Sequence, residues 1–233
     1  MRVRLVLSLL LFISTLLFAE HPAPDYHFSN DTPTHLRYLT FDTHEPYAVY
    51  ADNTLEWYYN AYNQSASIFS EEEVIATIKK AMAEWSHYAD ITFVYRGKTT
   101  NNINNTIDNM VTIGYWSEGA FIDTYGTYSG YSGIHWNNNS IYEGYMILNA
   151  GDQGQAGTPQ NLEELQGLIT HEIGHLLGIG HSDVATSIMY ANPYHSYLYQ
   201  QTLRDDDINI VQLLYPPLRN NAALLSPILL LLQ

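Results

Sequence analysis

The stretch His171-Glu172-Ile173-Gly174-His175-Leu176-Leu177-Gly178-Ile179-Gly180-His181-Ser182 decides how the chain is read. Two histidines four apart on a helix lie one turn above the other on one face, so both imidazoles reach a common point. A third ligand on the same helix would point elsewhere. Gly178 resolves this, because glycine adopts the left-handed backbone that ends a helix and lets the chain double back to deliver His181. Three neutral nitrogen ligands leave a fourth tetrahedral position open, the arrangement of a catalytic zinc site, not a structural one. His171, His175 and His181 are therefore expected to hold one Zn2+ ion. Glu172 is too short and wrongly directed to complete the ligand set. It suits a general base for a water on the zinc, whose pKa the ion lowers to about 7.

Working outward, Thr158-Pro159 reads as the start of the helix that carries the motif. Leu162, Leu165, Leu168 and Ile169 continue its apolar side to Leu177. Upstream, Ser70-Glu71-Glu72-Glu73 is a capping box. The helix it opens places Val74, Ile75, Ile78, Ala81, Met82 and Trp85 on one face, a core stripe. Strands are expected at 54–59, 91–95, 110–116 and 141–149, with an irregular, bulged edge strand between 119 and 133. A further extended piece is expected at 36–41, and 205–214 reads as a last helix whose acidic start complements its dipole. No internal repeat and no second domain are visible.

The chain has 233 residues, of which 46% are apolar and 14% charged, a composition that suits one ordered domain. Nine basic against 24 acidic residues give a net charge of −15, which repels nucleic acid and anionic membrane surfaces. There is no cysteine, so thiolate ligands, disulfides and cysteine-nucleophile chemistry are excluded. Residues 1–19 read as a signal peptide: Arg2 and Arg4 precede an apolar run to Phe18, with Ala19 as the cleavage residue. That run is shorter than the ~20 residues of a membrane span. The protein is therefore expected to be secreted. Residues 20–53, with four prolines, form a loop-rich lead, and 216–233 an apolar tail broken by Pro227. Formal glycosylation sequons begin at Asn30, Asn63, Asn104 and Asn138.

The motif resembles the zinc signature of the metzincins, and Ser187-Ile188-Met189-Tyr190 is similar to the methionine turn that follows it. Ser182 after the last histidine is similar to the matrixin (matrix-metalloprotease-like) branch. Residues 73–93, 142–149 and 203–215 resemble the matrixin first helix with its strand, the strand before the zinc helix, and the closing helix. The resemblance implies an α+β fold: a twisted mixed β-sheet with long helices, forming a catalytic domain over 54–215. It implies a zinc endopeptidase acting on extracellular proteins, with Met189 and Gly178 as structural supports of the site. A monomer is expected, with a polypeptide substrate lying along the edge strand near 125–131. The loop 190–204 would wall the pocket for the side chain after the cleaved bond.

Departures from the family pattern are also plain. Without cysteine there is no thiolate latch, though the lead leaves room for a short pro-segment in which Asp25 could cap the metal. Between 110 and 149 only His135 and Asp123 could serve a second, structural zinc, so none is expected. Calcium fits loop carboxylates such as Asp123 or Asp152, with no ligand set legible. Two rival readings share the motif: a zinc exopeptidase or amidase with a cleft closed at one end, and a secreted binding protein with a residual metal site. The intact Glu172, three ligands and Met189 weigh against the second.

Overall fold

Leu55, Trp57 and Tyr59 alternate with half-buried neighbours along Thr54–Asn60 (β1), so one face of this strand is sealed into the core. The computed structural model describes residues 48–100, 110–116, 129–149, 158–190 and 200–217. After β1 come helix Glu71–Tyr88 (α1) and strands Thr92–Thr99 (β2), Val111–Trp116 (β3), Gly130–Asn137 (β4) and Ser140–Asn149 (β5). Helices Leu162–Leu176 (α2) and Asp205–Leu214 (α3) follow. The sheet order is β2-β1-β3-β5-β4. All neighbours run parallel except β4, which is antiparallel to β5. The fold is the expected α+β arrangement with a mixed sheet.

α1 begins with the capping box read from the sequence. The Ser70 hydroxyl accepts from Glu73 N, and the Glu73 carboxylate accepts from Ser70 N at 2.8 Å. Its buried face is Val74, Thr77, Ile78, Ala81, Met82 and Trp85. Thr77 joins the stripe with its hydroxyl satisfied within the helix by Glu73 O at 2.8 Å, and Ile75 is half-buried and packs against the core. Trp85 is fully buried and donates from Nε1 to Thr170 O on α2 at 2.9 Å, pinning the two helices together.

Other boundaries differ from expectation. β2 continues to Thr99, past Tyr95, since it stays paired with β1 to Asn60. Of the edge strand expected over 119–133, the described part begins at Gly130, and its register shift falls between His135 and Trp136. α2 starts after Asn161, not at Thr158-Pro159. The Asn161 side chain accepts from Glu163 N and Glu164 N at 3.0 and 2.9 Å, capping two amides that lack helical partners. The signal, most of the lead including 36–41 and Asp25, Asp123, Asp152, most of the 190–204 loop and nearly all of the tail lie outside the described residues.

The end of α2 is closed by a Schellman turn. Ile179 N donates to Gly174 O and Gly178 N to His175 O, both at 3.0 Å, with Gly178 at φ +85°. The Ala48 carbonyl presses against Gly178 where a side chain would stand. Residues 48–50 join the sheet there: Val49 N donates to Asn139 O, and Ile141 N to Val49 O. Tyr215, just past α3, closes the other side. Its hydroxyl donates to Leu177 O at 3.1 Å and accepts from Tyr50 N at 3.3 Å, while its carbonyl accepts from Asp90 N at 3.1 Å.

Two outcomes are expected in urea unfolding of the metal-free protein. Tyr215→Phe leaves Leu177 O and Tyr50 N unpaired in the interior and lowers stability by about 1–3 kcal/mol per stranded group. Gly178→Ala forces a side chain into the left-handed region at a cost of about 1–2 kcal/mol, before the contact with Ala48 is counted. A midpoint unchanged from wild type in either variant would contradict the corresponding account.

Candidate metal centre

α2 carries His171, Glu172 and His175 on its buried side, and the turn at Gly178 brings His181 back to them. One ligand atom from each of the three histidines lies within 4.8 Å of the others, and among the described residues this is the group that could hold an ion. The ring centroids are 4.8 Å apart for His171–His175 and His175–His181, and 5.4 Å for His171–His181. His171 and His175 are buried and His181 half-buried, so the cluster opens to solvent on one side.

Hydrogen bonds decide which nitrogens face inward. His171 Nδ1 lies 2.6 Å from Ile188 O, and His175 Nδ1 lies 2.9 Å from Ile179 O. A carbonyl only accepts, so both Nδ1 atoms carry a proton and, in the neutral rings, both Nε2 atoms carry a lone pair. Those two Nε2 atoms are 3.2 Å apart. Nitrogen ligands at zinc's bond length in a tetrahedral shell lie about 3.3 Å from one another. The donor set therefore fits a tetrahedral cation. Burial, with His181 and His171 adding to it, pushes the His175 pKa well below its usual value, which keeps the ring neutral and ready to ligate.

Glu172 is buried beside this cluster, and desolvation pushes its carboxyl up to about 7. The Ser132 hydroxyl works in the opposite direction, but neither Ser132 Oγ nor Glu172 Oε2 makes a hydrogen bond of ordinary geometry, so burial prevails. A carboxyl so placed is neutral in the absence of a cation and ionises when positive charge approaches.

Met189 is fully buried, and its thioether packs on Gly174, one residue before His175, where any larger residue would collide with it. Ser182 N donates to Met189 O at 2.8 Å, and Ser182 Oγ donates to Asp206 Oδ2 at 2.7 Å. Asp207 is the anchor that the sequence reading missed. Its buried carboxylate accepts from Ser187 Oγ, from Ile188 N and Arg204 N at 3.0 and 2.9 Å, and from Met189 N at 3.3 Å. Burial raises its pKa more than these donors lower it. In the sequence Asp206 and Asp207 read only as helix-start acids, a pattern in which the side chains normally face water. Their one legible signal was position, some twenty residues after a serine-rich turn.

A family model described as Matrixin matches residues 49–216, well over half of the chain. Karilysin of Tannerella forsythia is 29% identical over 159 residues, covering 66% of this chain and 30% of karilysin. Matrilysin of Rattus norvegicus is 46% identical over 46 residues, 20% of this chain and 17% of its own. Metalloendoproteinase 2-MMP of Arabidopsis thaliana is 44% identical over 52 residues, 22% of this chain and 14% of its own. The chain thus spans between 14 and 30% of the length of these relatives. The matched region runs from Val49, which first joins the sheet, to just past Tyr215, which closes it, and the chain belongs to the matrixin family.

Proposed function

We propose that this protein is a secreted zinc endopeptidase, with His171, His175 and His181 holding the ion and Glu172 carrying the proton. The observation that carries this reading is the pair of Nε2 atoms 3.2 Å apart, both turned inward by Nδ1 bonds to backbone carbonyls. Such a pair of lone pairs is repulsive unless a cation sits against both. A zinc ion bound there supplies Lewis acidity, lowering the pKa of water to about 7 and polarising a carbonyl.

The chain's own residues do the rest. Glu172, ionised beside the cation, takes a proton from the attacking water as oxygen bonds to the scissile carbon. It then gives that proton to the departing amine nitrogen as the C–N bond breaks, and returns to its ionised state. β4 is an edge strand, paired with β5 alone among the described strands, so an extended peptide can add to its free side. An edge strand with no further strand beside it among the described residues supports internal cleavage over removal of single terminal residues. Gly178 and Met189 hold the ligand frame from below.

Export rests on the N-terminal pattern of 1–19, with 20–53 as lead, 54–215 as catalytic domain and 216–233 as tail. Among the described residues no helix is long and apolar enough to cross a membrane. The net charge of −15 supports a polypeptide substrate and disfavours nucleic acid. A monomer and a structural calcium ion belong to the same proposal.

Glu172→Gln should bind one zinc per chain and lose turnover of a quenched peptide by about a thousandfold. Cleavage at the wild-type rate would remove Glu172 from its role. A second outcome concerns stability without metal. The Glu172 pKa is raised in the fold from 4.5 to about 7, so below pH ~4.5 the carboxyl is neutral whether folded or not. As pH rises from about 4.5 towards the folded value, the unfolded chain gains an ionisation that the fold resists, and stability falls by up to about 3 kcal/mol, levelling off once the folded carboxyl has also ionised. In chelator, Glu172→Gln should therefore match wild type near pH 4 and be the more stable protein at pH 8. Parallel urea midpoints across that range would refute this.

A further inference from the structure

Strand β4 bears on Glu172 as well as on substrate. Gly130, Ser132 and Ile134 alternate along the strand, and Ser132 and Ile134 are buried on its inner side. A methyl group at position 130 would stand 3.2 Å from Glu172 Oε1, 3.3 Å from Glu172 Cγ and 3.2 Å from Leu168 Cδ1. The carboxyl thus rests against bare backbone, in a slot that only glycine leaves fully open. Two residues on, the Ser132 hydroxyl is 2% exposed. Its Oγ and Glu172 Oε2 are both sealed from solvent and both without a hydrogen-bond partner. Two such atoms on touching elements are costly to leave apart, and each is the kind of group the other needs.

We propose that Gly130 and Ser132 form a seat for Glu172, with Ser132 a positioning residue whose hydroxyl pairs with one carboxyl oxygen and leaves the other aimed at the reacting water. This rests on Glu172 being the proton carrier. A hydroxyl suits the task because it can donate to the carboxyl in either protonation state. It donates to the ionised carboxylate before attack. Once the water's proton sits on the oxygen that faced the water, the other is a carbonyl oxygen that still accepts from Ser132, so the contact lasts through both halves of the reaction. Gly130 contributes by absence: a methyl group there would press on the carboxyl and on Leu168 and shift the carboxyl from this orientation.

The test uses the full chain with zinc bound and a quenched peptide substrate. Ser132→Ala should lower kcat about ten- to a hundredfold, the worth of one hydrogen bond to a charged group, with KM and zinc content unchanged. Gly130→Ala should lower kcat in the same way. In the metal-free protein, urea unfolding of Ser132→Ala, Glu172→Gln and the double variant should show non-additive shifts, since each removes the other's partner. Wild-type kcat in Ser132→Ala, or additive shifts, would overturn the seat. Should Glu172→Gln itself turn over substrate, the reading of Glu172 falls. If Glu172→Gln is inert while Ser132→Ala equals wild type, only the seat falls.

Discussion

The bond from His171 Nδ1 to the Ile188 carbonyl is the constraint on which the rest of the site depends. Because a carbonyl cannot donate, the bond selects one tautomer and turns the Nε2 lone pair toward His175 and His181. The carbonyl itself is set by the turn that contains it, and that turn is held by Asp207 through Ile188 N and Met189 N. The orientation of a ring on α2 is thus controlled from α3, by the Asp207 carboxylate acting through the backbone of the turn. His175 is oriented by the same logic at shorter range: the Ile179 carbonyl that binds its Nδ1 belongs to the residue whose amide caps the helix. One turn therefore ends the helix, aims a ligand and delivers His181.

These arrangements concentrate electrostatic cost in a small volume. A His175 imidazole kept neutral by burial, a carboxyl driven toward neutrality and a second buried carboxylate lie within two helices and one turn. The first two are in states that a cation would exploit: a ring with Nε2 turned inward, and an acid that ionises as positive charge arrives. The surrounding apolar shell of Trp85, Ile169, Ile173, Leu176 and Met189 resists relaxation of that geometry. Metal binding then relieves a tension that the fold alone sustains.

Much of this was legible from residue spacing. The interval between His171 and His175, the glycine at 178 and the return to His181 depend only on helix geometry, and the structure brings the three rings together. The capping box at Ser70 and the helix from Asp205 to Leu214 were equally local, and both match. Where expectation and structure part, the cause is a side-chain hydrogen bond that a hydropathy pattern does not register. The α2 start moved because Asn161 offers two amides an acceptor, while Pro159 offers only a permitted φ. Thr77 joins the buried stripe because a hydroxyl can satisfy itself inside a helix. Asp207 was invisible because its partners lie some twenty residues upstream, and sequence carries no sign that an acid at a helix start will turn inward. Ser132 was hidden for the same reason: its relevance comes from β4 passing beside α2.

The closure by Tyr215 has a consequence for how the protein comes into being. Its hydroxyl joins residues 165 positions apart on one side and 38 on the other, and Asp207 reaches back about as far as the turn it clamps. Contacts of such long sequence separation form late, after the chain has paid the entropy of large loops. A growing polypeptide that has emerged only as far as His181 holds all three imidazoles and Glu172, but neither the anchor of the turn nor the lock on the helix end. The geometry of the cluster is therefore timed by synthesis: a chain ended before Asp207 and Tyr215 carries the signature without the contacts that hold it in shape.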